Sequence, residues 1–188
     1  MRRWWAMAAV AAGCCALEAA AAAAQQTAQS GQIQLRDDKF RPYREYTTGQ
    51  IRAGAYPNLL AVQLSGPIDR QSGALTTLLS VEFAYVSDHK RGYEAARNSR
   101  AQPLRFTRVA SNRRCQFGGP GTHSEVFTVE IPEAELRQAA PEGYQLKLFA
   151  RNGPEAVVGI AKSQIVALLA RIDADRLARA KPGPQKAN

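Results

Sequence analysis

From Phe40 onward the apolar residues come in short runs broken by turn residues, and their commonest spacing is two. Leu60, Val62 and Leu64 alternate with Ala61, Gln63 and Ser65, the period of a half-buried strand, and Gly66-Pro67 marks its far end or an edge position. The longest alternating run is Leu75 to Ser87. There Leu75, Thr77, Leu79, Val81, Phe83 and Tyr85 share one face, while Leu78, Ala84 and Val86 keep the other partly apolar, as suits a central strand. Arg41 to Ile51, Pro103 to Ala110, Glu125 to Ile131, Tyr144 to Ala150 and Ala156 to Ala161 bring the set to about seven strands. The separators are ordinary turn chemistry: Tyr56-Pro57-Asn58, Asp88 to Gly92, Gly118-Gly119-Pro120-Gly121, Glu142-Gly143 and Asn152-Gly153-Pro154.

Helical spacing is confined to three places. Tyr93 to Arg97 fits one helical turn. Pro132 followed by Glu133 and Glu135 predicts a short helix near 133–140, with proline at its first position, acids at its positive end and Pro141 as its stop. Ser163 as N-cap, with Ile165, Leu168, Leu169 and Ile172 on one stripe, predicts a C-terminal helix over 163–176; Leu177 falls off that stripe. The absence of a βαβ rhythm then predicts a mainly β fold, a single antiparallel β-sandwich or barrel-like domain over residues 39–176. A linker is expected at 25–38 and a disordered tail at 177–188.

The amino terminus breaks this pattern. Met1, Arg2 and Arg3 precede an apolar run of 14 residues from Trp4 to Leu17, then Glu18 and alanines ending at Ala24. A positive start, a short apolar run and an Ala-x-Ala site predict a secretory signal over residues 1–24, and the run falls short of the roughly 20 residues of a membrane-spanning helix. Cleavage after Ala24 frees a soluble, periplasmic chain. The alternative lies at Ala11-Ala12-Gly13-Cys14, which resembles a bacterial lipoprotein box with Ala11 in place of its usual Leu; lipidation of Cys14 would anchor the protein to a membrane.

Charge and cysteine content narrow the chemistry. The chain carries 25 Lys and Arg against 16 Asp and Glu; without Arg2, Arg3 and Glu18 the balance is 23 against 15. Between His89 and Arg114 lie Lys90, Arg91, Arg97, Arg100, Arg105, Arg108, Arg113 and Arg114, opposed only by Glu94. Arginine favours bidentate contact with phosphate or carboxylate, so Lys90, Arg91, Arg97, Arg100, Arg105, Arg113 and Arg114 are candidates for binding a lipid head group, an acidic glycan or an acidic protein surface. Nucleic acid is disfavoured, because export separates the protein from most of it and only Tyr93 and Phe106 are at hand for stacking. The plainer reading is a basic surface that maintains solubility. Arg108 shares the face of Leu104 and Phe106 on simple alternation, so it is either paired in the interior or displaced by a bulge.

Two of the three cysteines, Cys14 and Cys15, fall in the signal, which leaves Cys115 alone and no internal disulfide in the free form. A hairpin at Gln116–Thr122 would bring Cys115 towards His123, where an imidazole activates a thiol, with Glu125 orienting the ring. A small buried thiol at a strand end is the commoner situation. No ligand cluster has metal-site spacing, and no phosphate loop, dinucleotide fingerprint or nucleophile elbow occurs, so no cofactor is expected.

The signal, the β-rich body, Tyr93-Glu94-Ala95-Ala96 after a charged turn, and Glu125-x-Phe127-x-Val129-x-Ile131 before a short helix together resemble small secreted or periplasmic envelope proteins of proteobacteria. The resemblance implies location and fold, and it assigns no functional residues. The sequence therefore points first to an exported, non-enzymatic envelope protein that binds another envelope component through the stretch from Lys90 to Arg114. The alternatives are a hydrolase or transferase using Cys115 with His123, and a structural subunit of an envelope assembly.

Overall fold

The computed structural model describes residues 32–50, 58–114 and 121–180. The longest alternating run forms β4 (Thr77–Ser87), whose Thr77, Leu79, Val81, Phe83 and Tyr85 are all buried, as alternation requires. On one side β4 pairs with β3 (Leu59–Asp69), followed by β2 (Tyr43–Thr48) and β1 (Ile33–Arg36). On the other side it pairs along its whole length with β7 (Gly121–Ile131), which pairs in turn with β6 (Pro103–Arg114). β5 (Tyr93–Asn98), β8 (Tyr144–Ala150) and β9 (Ala156–Ile160) complete one antiparallel nine-stranded sheet, curled into a half-barrel in the order β1-β2-β3-β4-β7-β6-β5-β8-β9. The expected mainly β, barrel-like domain is thus realised by one sheet.

The concave face of the sheet and two helices enclose a single core. α1 (Glu133–Ala139) contributes Leu136, and α2 (Lys162–Ala180) contributes Ile165, Leu168, Leu169 and Ile172, the stripe read from the sequence. Each buried aliphatic side chain is worth about 1.5–3 kcal/mol, against about 0.2–1 kcal/mol for an exposed ion pair. The stripe therefore docks the helix, and the ion pairs orient it. Arg137 of α1 grips Asp173 of α2 at 2.6 and 3.0 Å, and Arg176 of α2 grips Glu133 of α1 at 2.7 and 3.0 Å. Arg44, on the inner face of β2, pairs with Asp175. Where α2 crosses β3, Gly66 makes room: a Cβ there would lie 2.9 Å from Ile172 Cδ1.

Several expectations need correction. Tyr93–Arg97 is strand β5, not a helical turn, because Tyr93 and Ala96 are drawn into the core beside β8. The linker expected at 25–38 contains β1, which gains a ladder along β2 that its composition does not announce. β3 runs through Gly66-Pro67 to Asp69 instead of ending there. α2 begins at Lys162, so Ser163 is not its cap; the Gln164 side chain reaches back to the Ala161 N–H at 3.3 Å, one half of a capping box. The helix also runs on to Ala180, with Leu177 exposed, so the first four residues of the tail expected over 177–188 are helical, and the rest of it lies outside the described residues. The signal, Cys14, Cys115 and most of the Gly118–Gly121 turn lie outside the described residues.

Candidate functional site

At the end of β6 the barrel stays open. β5 meets β6 through only two residue pairs, Ala96 with Leu104 and Arg97 with Pro103, and beyond them the two strands part. β6 continues along β7 to Arg114, with a bulge between Arg108 and Ala110. Arg108 precedes the bulge, which therefore does not displace it. It sits opposite Phe127 on the inner-face register, but its guanidinium swings to the rim and donates to the Tyr93 carbonyl at 2.8 Å. Past the bulge, Ser111 lies opposite Glu125 and Arg113 opposite His123, so both face the concave side, while Arg114 takes the outward register.

The opposite wall is the turn from Asp88 to Gly92, and buried chemistry holds it in place. Glu125, 1% exposed, accepts from the Gly92 N–H at 3.1 Å, the Tyr93 N–H at 3.2 Å and the Tyr85 hydroxyl. Gly92 adopts φ +66°, which points its amide inward at little conformational cost. The Tyr85 oxygen in turn accepts from the Arg91 N–H at 2.7 Å, and the Arg91 guanidinium lies 4.3 Å from the Tyr85 ring centroid. Burial, and then the bond to Glu125, push the Tyr85 hydroxyl well above the ordinary tyrosine range. From outside, the Arg151 and Asn152 amides donate to the Gly92 and Arg91 carbonyls at 3.1 and 2.8 Å.

Between these walls is an open cavity of about 380 Å³ lined by Asp88, His89, Lys90, Ser111, Asn112, Arg113, His123 and Asn152. Lys90 and Arg113 are its fixed cations. Neither is ion-paired among the described residues. His123 forms the floor at 3% exposure, stacked on Tyr85 with ring centroids 5.4 Å apart and its Nε2 3.0 Å from the Ser87 carbonyl. Asp88 is the one carboxylate of the lining. The cavity is therefore suited to an anionic group that takes hydrogen bonds from amides and a hydroxyl as well as charge from the two cations.

The basic stretch does not gather into one patch. Lys90, Arg108 and Arg113 lie on the concave side of the opening, and Arg91 is committed to Tyr85. Arg97 pairs across strands with Lys147 on the outer face, both beside the Phe149 ring at 5.3 and 5.5 Å. Arg105 faces outward towards Glu130 at 3.4 Å, and Arg100 donates to Gln138 at the far end. Glu125 does not orient His123, because its two oxygens serve the turn and Tyr85. Sequence reasoning passed over Asp88, His89, Ser111, Asn112 and Asn152 as lining residues; only the turns holding Asp88, His89 and Asn152 carried a signal, and it was a structural one.

Among the described residues no group of three or more His, Cys, Asp or Glu side chains is placed to hold a metal, and no helix is long and apolar enough to cross a membrane. Comparison with known families, curated proteins and solved structures finds no match.

Proposed function

We propose that this is an exported, non-enzymatic protein of the cell envelope that binds an anionic envelope component, through its phosphate or carboxylate, in the cavity between β6 and the β4–β5 turn. One observation carries the reading: Lys90 and Arg113, brought from separate elements, share a cavity with Ser111, Asn112 and Asn152 and have no carboxylate partner within salt-bridge distance among the described residues. The turn supporting Lys90 is held by Glu125, Tyr85 and the Asn152 amide, so little ordering is left to occur on binding. Export rests on the amino-terminal pattern of a basic start, an apolar run and Ala24.

Titration with inorganic phosphate, phosphatidylglycerol vesicles and an acidic polysaccharide separates the sources of the anion. Lys90→Ala with Arg113→Ala is expected to weaken whichever binds by about tenfold, roughly 1.4 kcal/mol, and added salt should weaken the wild type progressively. Arg97→Ala with Arg105→Ala, on the outer face, is the control. Equal losses from the two double variants would sink the site. For location, the intact mass of the chain from its native host should correspond to a start at Gln25; a lipidated start at Cys14 would place the cavity at a membrane instead.

A further inference from the structure

The two lips of the opening differ in one respect that bears on what enters it. On the β5 lip the backbone is already satisfied: the Tyr93 N–H goes to Glu125, the Tyr93 carbonyl takes the Arg108 guanidinium, and the Gly92 N–H goes to Glu125. On the β6 lip it is not. From Phe106 to Arg114 the strand is laddered to β7 alone, and among the described residues no other hydrogen bond reaches its backbone amides or carbonyls. A row of donors and acceptors thus lies open inside the sheet, beside the cavity.

We infer that this open edge of β6 receives an extended acidic segment of a partner protein as an added strand. The inference rests on the anion-binding reading above and names the class of partner. Three features choose the occupant. Lipid head groups and glycans carry no alternating row of amides and carbonyls to match the free edge, whereas a peptide strand does. A second copy of β6 would set Arg105, Arg108, Arg113 and Arg114 against their own kind, which opposes pairing. The bulge at Val109 and the arginines, devices that keep an edge from pairing with itself, leave a strand of opposite charge as the complementary one. Alternation sets the pattern: carboxylates at every second position would meet Arg113 and Lys90 on the concave side, with small or β-branched residues between them over exposed Thr107 and Val109.

The test uses the full chain and a labelled synthetic peptide of about seven residues, a common strand length, with Glu at alternate positions and Thr or Val between. Binding is expected, and N-methylation of the alternate amides that face β6 should weaken it about tenfold while N-methylation of the other set leaves it unchanged. Arg113→Glu should abolish binding of the acidic peptide and confer binding of a peptide with Lys in place of Glu. Inorganic phosphate titrated in parallel reports on the cavity itself. If phosphate binds through Arg113 but the two N-methylated peptides behave alike, strand addition is wrong and the cavity stands. If neither phosphate nor peptide binds, both readings fall. Displacement of the peptide by phosphatidylglycerol vesicles or acidic polysaccharide, with no dependence on which amides are methylated, would overturn the inference, as would a dimer in sedimentation that dissociates with Arg113→Glu.

Discussion

Glu125 is buried with a donor for each oxygen, and this makes it the residue on which the site's geometry turns. Removing it leaves the Gly92 and Tyr93 amides without acceptors, and an unsatisfied buried donor costs about 1–3 kcal/mol. Glu125→Ala is expected to lower unfolding stability by roughly 3 kcal/mol in denaturant titration and to loosen the Asp88–Gly92 turn. Tyr85→Phe should cost less, because it orphans only the Arg91 amide. In the wild type, Tyr85 and Tyr144 should ionise later than ordinary tyrosines, both held up first by burial and then by bonds to Glu125 and Glu135. Ultraviolet titration of the phenolates checks this, and the late fraction should fall in Tyr85→Phe. The sequence singled out Glu125 but assigned it to His123; its actual partners sit 32 to 40 residues earlier in the chain, a separation that no local pattern spans.

At the scale of elements, apolar alternation predicted most of the strands and the stripe of α2, because burial on one face is a property each segment carries in its own residues. β5 escaped, since Tyr93-Glu94-Ala95-Ala96 is as compatible with a helical turn as with a strand and only the neighbouring β8 decides. β1 escaped because its alternation, Ile33 and Leu35 against Gln34 and Arg36, lasts only four residues at the end of a polar stretch. Gly66 illustrates packing between elements: Ile172 Cδ1 is 2.9 Å and Leu75 Cδ1 3.2 Å from where its Cβ would be. Gly66→Val is therefore expected to cost about 1–3 kcal/mol by overpacking. Ile172→Ala combined with Gly66→Val should cost less than the sum of the two single changes, which a double-mutant cycle of denaturation midpoints would show.

For the molecule as a whole, acid is expected to remove the ion pairs between the two helices while the apolar stripe keeps them docked. Bonds from Arg176 and then Arg137 hold the Glu133 carboxyl below its ordinary range, and the bond from Arg137 does the same for Asp173. A depressed folded value contributes stability above the unfolded value, about 4, and that contribution is lost as pH falls through the folded value. These arginines are more than a third exposed, so each pair contributes about 0.5 kcal/mol after screening. The stability gap between wild type and Arg137→Gln with Arg176→Gln should accordingly be steady above about pH 5 and close below about pH 4, as read by chemical denaturation across pH. The same division between near and far contacts runs through the whole protein. Sequence alone determined the β-rich class, the two helices and the run of cations from Lys90 to Arg114, because periodicity and charge belong to the chain itself. Tertiary structure alone decided that one sheet curls without closing, that a bulge at Val109 turns Arg113 inward, and that Lys90 meets it across a cavity while Arg97 and Arg105 face away. Register and curvature arise from pairing between distant strands, and a slip of one residue would send every side chain of β6 to the other face.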